Sequence, residues 1–338
     1  MAEQPDVSVS IVNTSSRELL LACLASIEQD LDGPHTVEVV VLDNASEDGS
    51  AEAVAELFPW ARVIAQPFRA GFGANHNAVI RATTGRYVYV LNEDATVEPG
   101  SFEKLVGYLD AHPQVGALAP RIRYPDGREQ ASAWRFPTPG AAALGVLTLA
   151  RAGIVQSGGD ATRRVDWAMA CALLIRRSAL DKAGLFDERF FIYSEETDLA
   201  KRFEAAGYET HYLPSVTAFH HVSQFSAKIP ERRIAEEWRS RRRYWHKHHS
   251  RLAARIAGLL TGLQYALRAL VAAAVLRLPG RARGGLDRAA PGRFRLHARS
   301  AWHGPQGPGL RELAADWNRT HDVSPPEPPS AVGRIDLR

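Results

Sequence analysis

Four short apolar runs alternate with helical segments over the first 92 residues, and this alternation limits the fold more than any other feature. The runs end at Asn13, Asp43, Gln66 and Asn92, and they read VSVSIVN, VEVVVLD, ARVIAQ and YVYVLN. The second is apolar almost throughout, which is typical of a strand buried on both faces of a sheet. The alternation predicts a doubly wound α/β fold, in which a mostly parallel, Rossmann-like sheet is flanked by helices.

Polar side chains stand where three of these strands end. Asn13 and Asp43 close the first and second runs, and Asp94 follows the fourth run by two residues. Ligands of open α/β sheets bind in the crevice outside the carboxyl ends of the strands. We therefore expect a site at this edge, although a cap on the turn DNASEDG explains Asp43 equally well.

The pair Glu93 and Asp94 ends an apolar strand with two acids, whose burial needs a cation, hydrogen-bond donors or solvent. Asp94 is a candidate ligand of Mg²⁺ or Mn²⁺, because these ions prefer oxygen ligands and bind through few carboxylates plus substrate phosphates. The alternative is a strand end that is simply exposed to water.

The motif SEETDL places three acids at the start of a predicted helix, where the helix dipole stabilises negative charge in any case. Asp198 precedes Arg202 by four residues, so we expect a surface ion pair between them. Glu196 shares a helix face with Leu199 and should point inward or along a cleft wall, where its pKa rises towards the working range of a general base. We favour a functional role for Glu196, whereas charge placement at the helix end explains Glu195 slightly better.

Two short strands are predicted at YETHYLP and SVTAFHHVS, and the second contains His220 and His221. Neighbouring residues of a strand point to opposite faces, so one imidazole should be buried or bind a metal while the other meets solvent. A lone histidine is usually structural, so the metal hypothesis for His220 depends on Asp94.

Several classes of protein are disfavoured. The turn after the first strand, NTSSRE, contains no glycine, which argues against a dinucleotide-binding loop. A net charge of +3 over 338 residues does not indicate a nucleic-acid binder. Cys23 and Cys171 support neither a disulfide framework nor a metal quartet and fit a reducing, cytoplasmic setting. The start MAEQPDVSVS lacks the features of a signal peptide, so we do not expect secretion.

The character of the chain changes after Trp238. We predict a main domain over residues 1–250, apolar helices over 251–278 and an Arg/Gly/Pro-rich, partly disordered tail over 279–338. Residues 252–278 contain no uncharged run of 18 residues, so paired helices that lie on the domain or on a membrane are favoured over a spanning helix. The excess of arginine after Arg232 suits an anionic membrane surface.

The order of the motifs along the chain resembles that of the family 2 inverting glycosyltransferases, in particular their bacterial rhamnosyltransferase-like branch. The matching series is SIVNTSS, VVLDNASEDGS, GFGANHN, VLNEDATV, LLIRRSAL, GLFDERFFIYSEETDL and HH, and it spans residues 7 to 250. The resemblance implies a glycosyltransferase A-type (GT-A) fold, a nucleoside-diphosphate sugar donor and Mg²⁺ or Mn²⁺ as the cofactor.

The resemblance also implies roles for single residues. Glu196 takes the place of the catalytic base, Asp94 that of a metal ligand, and His220 that of a histidine that contacts the metal or the diphosphate. Asp43 takes the place of a nucleotide-binding residue, and Asn77 matches the asparagine of the family's glycine-rich loop. Beside these, we assign further candidates to the nucleotide sugar, namely Asn13, Asn92 and Glu93, and to the acceptor, namely Glu195 and Trp167.

The resembled branch favours deoxythymidine-diphospho-rhamnose (dTDP-rhamnose) as the donor, and uridine-diphospho-galactofuranose is the nearest competitor. The expected acceptor is a saccharide or a prenyl-diphosphate-linked saccharide of cell-envelope polysaccharide synthesis, met at the cytoplasmic face of the membrane. A sugar-nucleotide-binding protein without turnover is the alternative from a different class.

Overall fold

A computed structural model describes residues 4–150, 152–221, 229–278 and 287–327. All strands of the described residues lie in the first two-thirds of the chain. They are β1 (Val7–Asn13), β2 (Val37–Asn44), β3 (Ala61–Gln66), β4 (Tyr87–Asn92), β5 (Ala95–Val97), β6 (Val115–Arg123), β7 (Ala133–Trp134), β8 (Arg163–Val165), β9 (Trp167–Ala168), β10 (Ala172–Arg176) and β11 (Glu209–His220).

Helices connect these strands and make up most of the C-terminal third. They are α1 (Arg17–Glu28), α2 (Ser50–Leu57), α3 (Phe72–Arg81), α4 (Ser101–Ala111), α5 (Pro139–Thr148), α6 (Arg177–Ala183), α7 (Glu195–Ala205), α8 (Pro230–His248), α9 (Arg251–Val275), α10 (Ala290–His303) and α11 (Leu310–Thr320).

The central sheet has the strand order β3-β2-β1-β4-β10-β6-β11-β5, with β8 added beside β11. Strands β1 to β4 run parallel to one another, whereas β10 runs antiparallel to both β4 and β6. Asn13 lies opposite Asp43, and Val12 lies opposite Asn92, so the carboxyl ends of three strands meet at one edge. The predicted α/β class with a mixed, mostly parallel sheet is confirmed.

Apolar side chains cover both faces of the sheet. One buried cluster joins the strands to α1 and α4, and includes Leu24 and Leu105. The other joins them to α3, α6 and α7, and includes Ile80, Leu180 and Leu199. Because both faces are covered, polar side chains reach solvent mainly at the ends of the strands, which is where a site can form.

Two predicted elements are wrong in detail. The predicted pair of strands over residues 208–223 is the single strand β11, which ends at His220. Residues 222–228 lie outside the described range. The register of β11 with β6 shifts between Leu213 and Thr217, because Pro214 has no amide hydrogen for the ladder. The predicted pair of helices over 252–278 is the single helix α9, since no proline interrupts it.

The C-terminal helices pack onto the main domain. Trp238 and Trp245 of α8, Ala257 of α9 and Ala301 of α10 share a buried cluster with Phe190. Helices α10 and α11 form within the segment that the sequence marks as a tail, whose residues 279–286 and 328–338 lie outside the described range. The division of the chain into three segments stays a prediction.

Asp198 pairs with Arg202 as predicted, but the pair is buried and does not lie on the surface. Its side chain is fully buried, and its carboxylate accepts from Arg202 Nε at 2.9 Å, from Lys247 Nζ at 2.7 Å and from His248 Nε2 at 2.7 Å. Burial opposes ionisation, but His248, Arg202 and Lys247 lower the pKa of Asp198 below its ordinary value. Two of these partners belong to α8, about fifty residues downstream, so Asp198 ties the acidic helix α7 to the C-terminal helices.

The first prediction concerns this buried ion cluster. Replacement of Asp198 by asparagine should lower the free energy of unfolding by about 3 kcal/mol, because Arg202 and Lys247 stay partly buried beside it and lose this counter-charge. The control is Asp126→Asn, since Asp126 pairs with Arg128 on the surface and should change stability by less than about 1 kcal/mol. Urea denaturation of both variants provides the test, and equal losses would contradict the account.

Candidate active site

A cleft of about 1000 Å³ opens at the carboxyl edge of the sheet. Its floor is formed by the residues that follow β1, β2 and β4, and its walls are formed by α5, α7, α8, α9 and α11. Of the sequence-predicted residues, the cleft brings together Asn92, Glu93, Asp94, Trp167, Glu195, Glu196 and His220.

Asp94 and His220 form a buried pair on the floor of the cleft. His220 Nε2 lies 3.2 Å from Asp94 Oδ1, while His220 Nδ1 lies 3.1 Å from the carboxamide oxygen of Gln130. A carboxamide oxygen only accepts hydrogen bonds, so Nδ1 donates to Gln130 and Nε2 faces the Asp94 carboxylate. A ring nitrogen and a carboxylate oxygen at this distance are joined either by a proton or by a bound cation. His221 is exposed, so the expected division between the two histidines is confirmed.

This pair fits a divalent cation with few protein ligands. Among the described residues no group of three or more His, Cys, Asp or Glu side chains forms a complete metal site. A carboxylate and an imidazole leave coordination positions for phosphate oxygens and water, which is how Mg²⁺ and Mn²⁺ bind beside diphosphate substrates.

Glu93 adds a second carboxyl group to the same floor. Burial and the neighbouring Asp94 raise the pKa of Glu93 to about 8, although the Ser16 hydroxyl acts to lower it. A carboxyl group in this position ionises more readily when a cation is nearby. Both acids of the pair therefore benefit from positive charge in the cleft.

Glu195 and Glu196 enter the cleft from the first turn of α7. Burial raises the pKa of Glu196 to about 7, while its backbone amide and Arg241 of α8 act to lower it. Burial and the charge of Glu196 raise the pKa of Glu195 well above its ordinary value. Neither Oε2 atom has a hydrogen-bond partner within the described part of the chain. A carboxylate with a pKa near 7 can take up a proton from a substrate hydroxyl at neutral pH.

An unusual turn aims these two acids. Tyr193 and Ser194 both have left-handed backbone angles, with φ of 70° and 65°. Non-glycine residues rarely adopt this conformation, and when they do they often lie at functional sites. The turn is packed against the glycine-rich loop, because Phe72 donates its amide to Phe191 O at 2.7 Å and a Cβ at Gly71 would overlap the Phe191 carbonyl.

Asn13 and Asp43 lie beneath one end of the cleft and do not line it. Asn13 Nδ2 donates to Asp43 Oδ1 at 3.3 Å and to Ser46 Oγ at 3.0 Å. Asp43 Oδ2 accepts from the Ser46 amide at 3.0 Å. Asp43 therefore caps the turn after β2, as the alternative interpretation of the sequence expects, and Asn13 supports that cap.

Asn77 is not brought to the cleft. Its side chain is buried and exchanges hydrogen bonds of 2.8 and 3.0 Å with the backbone of Phe186, and donates to Glu188 Oε1 at 2.9 Å. These contacts join α3 to the loop before α7. In this structure Asn77 supports the position of the acidic helix.

The sequence analysis did not predict the wall at the end of the cleft that lies above Asn13 and Asp43. The Arg69 guanidinium stacks over the Trp317 ring at 4.3 Å and pairs with Glu47 at 3.0 Å, and Asn318 exchanges two hydrogen bonds with the Arg69 backbone. Helix α11 thus reaches back across about 250 residues of sequence. No sequence pattern around Trp317 or Arg69 predicts this contact.

At the other end of the cleft, Trp167 stacks on Trp134 with ring centroids 4.7 Å apart. Trp167 Nε1 donates to the Arg135 carbonyl at 3.1 Å, which fixes the ring. Flat aromatic faces of this kind pack well against the apolar face of a sugar ring. Beyond the tryptophans lie α5, α8 and α9.

Comparisons with known proteins agree with this geometry. Residues 7–168 match the family model described as "Glycosyl transferase family 2". The N-acetylglucosaminyl-diphospho-decaprenol L-rhamnosyltransferase of Mycobacterium tuberculosis is 32% identical over 257 residues, which cover 67% of this chain and 80% of that protein. The chain belongs to glycosyl transferase family 2. It is a sugar-transferring enzyme, as the resemblance implies.

Other relatives extend the comparison. The O-antigen biosynthesis protein RfbC of Myxococcus xanthus is 26% identical over 246 residues, which cover 70% of this chain and 19% of that protein. The mannosyltransferase PcManGT from Pyrobaculum calidifontis, solved with GDP-Man and Mn²⁺, superposes with a TM-score of 0.57 at 19% identity and covers 96% of this chain and 89% of that chain. The GT-A fold is confirmed.

The second prediction concerns the packing between the glycine-rich loop and the acidic turn. Gly71→Ala should displace Phe191 and the turn that carries Glu195, and should lower the rate of nucleoside-diphosphate release at least about tenfold, since overpacking costs roughly 1–3 kcal/mol. The matched control is Gly107→Ala on α4, where a Cβ would meet open space. Equal rates for the two variants would show that this packing does not set the site.

Proposed function

We propose that this enzyme transfers L-rhamnose from dTDP-rhamnose to a prenyl-diphosphate-linked saccharide in cell-envelope polysaccharide synthesis. The family membership and the printed name of the mycobacterial relative support the sugar and the lipid-linked acceptor. The observation that carries the proposal is the meeting of the Asp94–His220 pair and Glu196 in one cleft of a GT-A fold.

In the proposed reaction Glu196 accepts the proton of the acceptor hydroxyl. The hydroxyl oxygen then forms a bond to the anomeric carbon as the bond from that carbon to the diphosphate breaks, so the configuration inverts in a single displacement. The raised pKa of Glu196 suits this task, because a base with a pKa of about 7 is about half ionised at neutral pH and still binds a proton.

Asp94 and His220 are proposed to hold Mg²⁺ or Mn²⁺. When bound, the ion would supply charge neutralisation for the departing nucleoside diphosphate. The Gln130 hydrogen bond keeps the His220 ring oriented with Nε2 towards this position. Glu93 and Asn92, which line the cleft beside Asp94, are proposed to contact the donor, and Asp43 with Asn13 to support its nucleotide end from below.

The third prediction tests donor, metal and base together. Release of dTDP from dTDP-rhamnose should require Mn²⁺ or Mg²⁺ and a prenyl-diphosphate N-acetylglucosamine acceptor. Glu196→Gln should lower the rate about 10² to 10⁴-fold, as loss of a general base does, and Asp94→Asn should remove the metal dependence together with the activity. Asp126→Asn serves as the control for a surface carboxylate.

If the nucleoside diphosphate is released only from uridine-diphospho-galactofuranose, the proposed donor sugar would be wrong and the proposed mechanism would stand. Near-normal turnover in Glu196→Gln would remove Glu196 from the role of base. Binding of donors without any turnover under all conditions would support a sugar-nucleotide-binding protein.

We propose that α9 rests on an anionic membrane surface. Helix α9 is the one helix of the described residues that is long and apolar enough to cross a membrane by length and composition, yet one side of it packs against α5, α8 and α10. The opposite side exposes a row of large apolar residues beside exposed Arg251 and Arg255. The row consists of Leu252, Ile256, Leu259, Leu263 and Leu270. An apolar face with basic neighbours is typical of a helix that lies in the membrane interface.

The fourth prediction concerns this apolar row. Leu259→Glu combined with Leu263→Glu should weaken binding to vesicles that contain anionic phospholipid at least about tenfold, because each buried leucine contributes roughly 1.5–3 kcal/mol. Leu57→Glu is the matched control, since Leu57 is equally exposed on α2. Sedimentation with vesicles gives the measurement, and equal binding by wild type and both variants would contradict a membrane contact through α9.

A further inference from the structure

Three arginines line the cleft beyond Glu196, on the side of the tryptophan pair. Arg233 and Arg241 lie two turns apart on α8 and so share one helix face, and Arg268 reaches the same cavity from α9. All three side chains therefore line the same cavity.

In the described part of the chain none of the arginines in this cluster forms an ion pair within 4.0 Å. Glu237 stands between Arg233 and Arg241 on α8, and Glu196 lines the same cleft, but neither carboxylate forms a close pair with them. The Arg268 guanidinium is held over the rings of Phe294, at 4.4 Å, and Tyr265, at 5.4 Å. Such a group of cations in a cleft is suited to an anion with several oxygens, such as a diphosphate.

The position of the cluster relative to the base indicates which diphosphate it serves. The donor diphosphate is proposed to lie at Asp94 and His220, on the floor of the cleft. The arginines come from α8 and α9, which form walls of the cleft, whereas Asp94 and His220 lie at strand ends on its floor. An acceptor whose hydroxyl meets Glu196 would therefore carry its own phosphates towards these arginines.

The wall beside the cluster is apolar. It is formed by α5 and α9, and its lining residues include Ala141, Ala142, Ile154, Thr261 and Tyr265. The same two helices expose leucines on their outer side, with Leu147 of α5 being 83% exposed. A molecule with an anionic head and a hydrocarbon tail would thus find cations, then an apolar wall, and then the side of the protein proposed to face the membrane.

We propose that Arg233, Arg241 and Arg268 bind the diphosphate of a polyprenyl-diphosphate-linked acceptor, and that the wall formed by α5 and α9 receives the first part of its prenyl chain. This inference rests on the proposed function and adds the binding site for the acceptor lipid. It also explains why α8, α9 and α10 form a common core with the catalytic domain, since the site needs side chains from both.

The fifth prediction compares two acceptors that differ only at the diphosphate. The first is N-acetylglucosamine linked through a diphosphate to a short prenyl chain, and the second is N-acetylglucosamine linked directly to the same prenyl chain. Arg233→Gln and Arg268→Gln should each raise the KM for the first acceptor about tenfold, as loss of a hydrogen bond to a charged group does. The KM for the second acceptor and the KM for the donor should stay at wild-type values.

Arg242→Gln is the matched control, because Arg242 is on α8 and does not line the cleft. Equal losses with both acceptors would show that the arginines do not recognise the diphosphate. A raised KM for the donor would assign them to the donor diphosphate instead, and unchanged constants in every variant would leave them as a solvated helix face. Each of these three results would overturn the proposal.

Binding of the diphosphate acceptor without donor separates this proposal from the proposed function. Equilibrium binding to wild type and to Arg233→Gln needs no turnover, so it can be measured even if no donor in the panel reacts. Weaker binding by Arg233→Gln than by Arg242→Gln would support the site, and equal binding would refute it whatever the donor proves to be.

Discussion

One cleft brings together four carboxyl groups, those of Glu93, Asp94, Glu195 and Glu196. The rest of the structure depends on supplying the counter-charge or the protons that their burial requires. Carboxylates taken out of water need counter-charge or proton uptake. Here the pKa values of Glu93, Glu195 and Glu196 are raised, while Asp94 faces His220. A site of this kind is suited to a cation on one side and to a proton on the other, which is the division of labour proposed for the transfer reaction.

The scaffold holds these groups in place with contacts made far from them. Asp198 ties α7 to α8 through Lys247 and His248, and the close approach of Gly71 to Phe191 fixes the turn before Glu195. Both contacts hold the same short segment, which is the start of α7 with the turn before it. The C-terminal helices are therefore part of the architecture of the site, because they supply Arg241, the ion partners of Asp198 and the wall made by α9 and α11.

The sequence predicts what depends on local periodicity or on strand ends. Parallel strands bring their carboxyl ends together, so the approach of Asn13, Asp43 and Asp94 follows from the order of the runs. Helical spacing correctly turns Glu196 towards the cleft. The remainder depends on contacts between distant segments. The ion partners of Asp198 and the stacking of Trp317 on Arg69 have no local pattern, and the family position of Asn77 does not reveal that its amide is used by Phe186.

The dependence of kcat on pH, at saturating donor and acceptor, tests the central claim most directly. If Glu196 is the base and must be ionised, kcat should rise with pH through about 7 and then level off, because burial raises the pKa of Glu196 to about 7. In Glu196→Gln the residual rate should lose this dependence. A wild-type profile that is flat between about pH 5 and 8, or a variant that keeps the same rise, would contradict the account.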